Sequence, residues 1–65
     1  MTSVIKSKKY GIEIKANFGQ ASDIIRWRDI GEEEWEGSMY QVADAQHSER
    51  KALRLIAEWL ERDRG

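Results

Sequence analysis

The apolar residues of this chain alternate with a period of two up to about residue 42, then switch to a period of about 3.6. Successive side chains point to opposite faces of a strand, whereas every third or fourth shares one face of a helix. One switch therefore predicts strands first and a helix last. Ile12, Ile14, Ala16 and Phe18 alternate with Glu13, Lys15 and Asn17, and Tyr10 extends the same face, so a strand is expected over about 10–18. Gly19-Gln20-Ala21-Ser22-Asp23 reads as a loop. A second strand, rich in β-branched and aromatic residues, is expected over about 23–30. Asp29 to Glu34, holding Gly31, is the turn after it. A third strand is expected over about 35–43 with a bulge near Gly37, which leaves open the faces occupied by Trp35 and Met39. Val4 and Ile5 read as either a further short strand or a docked tail.

Ser48 carries a hydroxyl suited to an N-cap. Behind it Ala52, Leu53, Ile56, Trp59 and Leu60 form one apolar stripe, with Arg50, Lys51, Arg54, Glu58, Glu61 and Arg62 on the opposite arc. Leu55 alone points off the stripe. A helix is expected over about 48–63. Connections this short favour antiparallel neighbours. The expected fold is thus α+β, one domain over 1–65: a three-stranded antiparallel meander with the C-terminal amphipathic helix packed on one face (β-β-β-α). Pleat alternation places Ile12, Ile14, Ala16, Phe18, Ile25, Trp27, Tyr40 and Val42 on the face the helix covers.

Composition removes several function classes. The 65 residues include no cysteine, which excludes a disulfide scaffold, a thiolate metal site and a cysteine nucleophile. There is one histidine, and the clustered carboxylates lack the spacing of a calcium loop, so no metal is expected. Asp44 and His47 are the only pair with an acid–base look, and a capping or solvent-facing histidine is the simpler reading. Neither a nucleophile elbow nor a glycine-rich phosphate loop is present. The expectation is a non-enzyme without cofactor. No apolar run approaches the roughly 20 residues of a membrane span, and no signal-peptide core is seen, so a cytoplasmic protein without a membrane partner is expected.

The net charge of −1 conceals segregation. Residues 1–28 set Lys6, Lys8, Lys9, Lys15, Arg26 and Arg28 against Glu13 and Asp23. Residues 29–49 hold Asp29, Glu32, Glu33, Glu34, Glu36, Asp44 and Glu49 with no lysine or arginine. A general polyanion binder would show a basic excess, which this chain lacks. The face left uncovered by the helix is predicted to carry Glu13, Lys15, Ile24, Arg26, Arg28, Ile30, Trp35, Met39 and Gln41. A mixture of tryptophan, methionine, isoleucine and arginine is the composition enriched at protein interfaces.

These features favour a small non-catalytic protein-binding module. An inhibitor, adaptor or accessory factor of a phage, plasmid or other bacterial system fits the size and the lack of chemistry. It would dock on a larger protein through Arg26, Arg28, Trp35 and Met39, with Glu32, Glu33, Glu34 and Glu36 as a steering edge. The alternative is a DNA- or RNA-binding domain using Lys15, Arg26 and Arg28, because helix-backed sheets enter the major groove in some DNA-binding families. Open edge strands also allow a homodimer.

Overall fold

The computed structural model describes residues 1–64. Four strands come first: β1 (Ser3–Ser7), β2 (Ile12–Ala16), β3 (Ile24–Asp29) and β4 (Glu36–Gln41). A 3-10 turn over Val42–Ala45 leads into helix α1 (Glu49–Arg64). The fold is α+β, and the strands form one antiparallel sheet in the order β1-β2-β3-β4. The expected meander was therefore one strand short. Val4 and Ile5 belong to β1, which pairs with β2 so that Val4 faces Lys15, Ile5 faces Ile14 and Lys6 faces Glu13. Two adjacent apolar residues make no alternating pattern, and it is the cross-strand partners on β2 that stabilise this strand.

The boundaries differ at the turns. Tyr10, expected on the core face of a strand, lies in the β1–β2 turn and is 40% exposed. That turn closes when the Gly11 amide donates to the Ser7 carbonyl at 2.9 Å, with Gly11 at φ +71°. A left-handed backbone of this kind is strained for any residue carrying a Cβ. The strand expected to end near residue 43 stops at Gln41, and Val42 is buried in the 3-10 turn instead.

A register shift between β3 and β4 answers the question of faces. Ile24 pairs with Gln41 and Arg26 with Gly37, so Ser38, Met39 and Tyr40 together oppose Ile25. The two surplus residues are an even number, and the alternation of faces survives. Met39 stays on the side away from the helix, while Tyr40 packs against the core. Ser38 bridges the irregularity: its hydroxyl donates to the Ile25 carbonyl at 2.7 Å and accepts from the Tyr40 amide at 3.1 Å.

The helix begins as its sequence requires, the Lys51 amide donating to the Ser48 hydroxyl at 3.2 Å. It packs across the sheet over Ile12, Ile14, Ala16, Ile25 and Trp27, burying Ala52, Ile56 and Leu60. Trp59 meets the Trp27 and Tyr40 rings edge-on, with centroids 6.4 and 6.1 Å apart. Edge-to-face pairs of this kind add to simple area burial. Leu55 lies off the apolar stripe, half-buried beside a surface hollow with Asp44, Lys51 and Arg54 and not against the core. Between the 3-10 turn and α1, Gln46 and His47 adopt left-handed φ values of 53° and 62°. There the His47 Nδ1 lies 2.8 Å from the Phe18 carbonyl oxygen, and Asp44 accepts from the Gln41 amide at 2.8 Å. Both residues therefore hold loops and turns in place rather than facing each other. Among the described residues no helix is long and apolar enough to cross a membrane.

Candidate functional site

The helix covers one face of the sheet and leaves the other open. Pairing register arranges the open face in rows, because residues directly opposite one another on adjacent strands share a face. One row runs Val4, Lys15, Arg26, Gly37. The next runs Lys6, Glu13, Arg28, with Trp35 just ahead of β4. On the other side of the first row lie Ile24 and Gln41, with Met39 in the irregular segment. Four cations thus share the face with one carboxylate.

The two rows behave differently. Trp35 is half-buried, with the Arg28 guanidinium 4.1 Å and the Lys15 ammonium 4.8 Å from its ring centroid. Cations over an indole face are attracted by the ring quadrupole. Arg28 also reaches Glu13 at 3.5 Å and donates to the Glu33 carbonyl at 3.1 Å, which ties the β3–β4 turn to the sheet. Its side chain is only 24% exposed. Arg28 and Trp35 are therefore engaged with each other and, through Arg28, with Glu13 and Glu33 within the fold.

Arg26 is the opposite case. It is exposed, makes no ion pair among the described residues, and its neighbours across the ladder are Lys15 and Gly37. Gly37 has no side chain to set against the arginine, and a Cβ built there would meet nothing within contact distance. The same face exposes three large apolar side chains: Ile24, two residues back on β3, at 43%, Met39 in the irregular segment of β4 at 70%, and Val4, beyond Lys15 on β1, at 54%. A guanidinium without an ion pair among the described residues, on a face that also exposes aliphatic groups, can meet a carboxylate while the face buries apolar area.

The acidic residues lie apart from this patch. Glu32, Glu33 and Glu34 are exposed in the β3–β4 turn, and Glu36 stands opposite Trp27, on the helix side of the outer strand. Glu32, Glu34 and Glu36 line a shallow hollow of about 310 Å³ with Arg28 and Asp29. They form an edge of negative charge beside the open face, not part of it.

The structure thus brings Lys15, Arg26, Arg28, Trp35 and Met39 onto one surface and leaves the four glutamates beyond its rim. Val4 and Lys6 were missed as site residues because the strand carrying them was not firmly read. Ile24 was placed on the right face without being singled out. The signal available for Val4 and Lys6 was their alternation with Ile5, which is too short to count. Among the described residues no group of three or more histidines or carboxylates converges to hold a metal ion. No family model, no curated protein and no solved structure matches the chain.

Proposed function

We propose that this chain is a small non-catalytic module that binds a larger protein through the open sheet face, as an inhibitor, adaptor or accessory factor. The observation that carries this reading is the exposed Arg26, without an ion pair among the described residues, on the same open face as exposed Val4, Ile24 and Met39. Leaving three such side chains in water forgoes burial free energy of about 25 cal/mol per Å² of apolar area. A partner surface that covers them recovers it, and a carboxylate on that surface satisfies Arg26. Arg26 and Met39 are then the central contacts, and the glutamates of the β3–β4 turn steer orientation. Trp35 and Arg28 act by holding the face flat.

A second reading has its own support. Lys6, Lys15, Arg26 and Arg28 against Glu13 give the face a local positive charge that would attract phosphates. Two features favour the protein partner. Exposed methionine, isoleucine and valine serve an apolar surface, and Trp35 is half-buried with two cations of the sheet already against its ring.

The test is a nuclease-treated capture from lysate, comparing wild type with a folded Arg26→Glu/Met39→Asp variant. Retention of one dominant protein by wild type and its loss from the variant supports the reading. Capture that vanishes with nuclease, or falls by about 10² between 50 and 200 mM salt as release from about four phosphates would require, transfers the face to nucleic acid.

A further inference from the structure

A second concentration of cations lies on the helix side of the molecule. An open cleft of about 780 Å³ runs between the β1–β2 turn and the start of α1, lined by Lys9, Tyr10, Arg50, Lys51, Leu53 and Arg54. Four of these residues are cations and none is a carboxylate. They come from two elements, so the charge spans the cleft and does not sit on one wall.

Local partners absorb only part of that charge. Arg54 Nε donates to Glu58 at 3.2 Å, whereas Lys51 Nζ donates to the neutral side-chain oxygen of Gln46. Lys9 lies 5.4 Å from the Tyr10 ring centroid, and Lys9 and Arg50 make no ion pair among the described residues. The acids nearest on the helix side lie outside the cleft lining: Glu49 precedes Arg50 on α1, Asp44 and Glu58 line a neighbouring hollow with Lys51 and Arg54, and Glu61 lines another with Ile12, Ala57 and Leu60. In a chain of net charge −1, a cleft lined by four cations and no acid is a local departure from the average.

We propose that this cleft receives an acidic, extended segment of the partner protein, its carboxylates against Lys9, Arg50 and Lys51 and one apolar side chain on Leu53 and Tyr10. The cations are exposed and long, and none is buried and pre-aimed at a single point, so the cleft is not built around one small anion. Charges spaced along a polymer match it. A peptide fits better than nucleic acid because Leu53 offers an aliphatic seat among the cations, which a side chain can fill and a phosphate cannot use. The inference rests on the protein-binding reading and gives the partner a second, acidic point of contact.

The probe is a fluorescein-labelled peptide of about twelve residues mixing aspartate, glutamate and leucine, titrated by anisotropy at about 50 mM salt, where surface charges are weakly screened. Wild type binds it saturably. Lys9→Glu and Arg50→Glu, on separate elements and each checked for folding by circular dichroism, weaken binding about fivefold or more, whereas Arg62→Glu, an exposed charge outside the cleft, changes it less than about twofold. A loss in Arg26→Glu larger than in both cleft variants overturns the proposal by placing the peptide on the open sheet face. A peptide with asparagine and glutamine in place of the acids does not bind. No binding of the acidic peptide, equal binding of the neutral one, or wild-type affinity in both charge-reversed variants overturns the proposal. So does tighter binding of a single-stranded oligonucleotide of similar length, which assigns the cleft to phosphates. The open-face reading fails separately, when the Arg26→Glu/Met39→Asp variant keeps the captured partner.

Discussion

Two residues next to each other on β3's open face play unlike parts, and the difference is set by what lies across the ladder. Arg28 has Glu13 opposite and Trp35 against it, while Arg26 has Lys15 and the bare backbone of Gly37. Trp35→Ala should therefore lower stability by about 1–2 kcal/mol, from the loss of two cation–aromatic contacts at a half-buried site. Met39→Ala, at an exposed position, should leave stability within about 0.5 kcal/mol and weaken partner binding by more than about 1 kcal/mol. Chemical denaturation of both variants, followed by binding, separates the two roles. A Trp35→Ala protein as stable as wild type would return Trp35 to the binding surface. The sequence placed both arginines on the right face, since alternation along one strand is local information. It did not rank them, because the ranking depends on residues 13, 35 and 37, which only the sheet register brings alongside.

At the scale of elements, the irregular β3–β4 pairing does most to shape the site. An odd shift there would have turned Met39 into the core and Tyr40 out to solvent. Ser38 occupies the gap with one hydroxyl serving the Ile25 carbonyl and the Tyr40 amide. Ser38→Ala leaves both partly buried groups without that partner and should cost about 1–3 kcal/mol. Unfolding curves test this, and a variant losing less than about 0.5 kcal/mol would show that the shift is held by the side chains around it. The helix start gives a second check: Ser48→Ala should cost about 1 kcal/mol through the lost cap on the Lys51 amide. The helix was legible from the sequence because sixteen residues repeat one period. The bulge was legible only as an irregularity near Gly37, since its size depends on the partner strand. The first strand escaped firm reading because five residues with two apolar side chains resemble a tail.

At the scale of the whole molecule, a near-zero net charge divides into three separate fields. The open face is basic with an apolar patch, the β3–β4 edge is acidic, and the cleft beside α1 is basic again. Such a layout is suited to orienting one partner more than to gripping a uniform polyanion. Raising salt from about 50 to 200 mM should accordingly change affinity for the protein partner by less than about tenfold, far from the drop expected when many phosphates are released. Isothermal titration at the two salt concentrations measures it. The measurement that most directly tests the central claim is a titration of the captured partner into ¹⁵N-labelled protein, following each backbone amide. The account predicts that the largest shifts fall at Ile24, Arg26, Gly37 and Met39, with the buried core positions Ile14 and Ile56 little changed. Shifts confined to the helix side, leaving those four amides unmoved, would contradict the open sheet face as the binding surface.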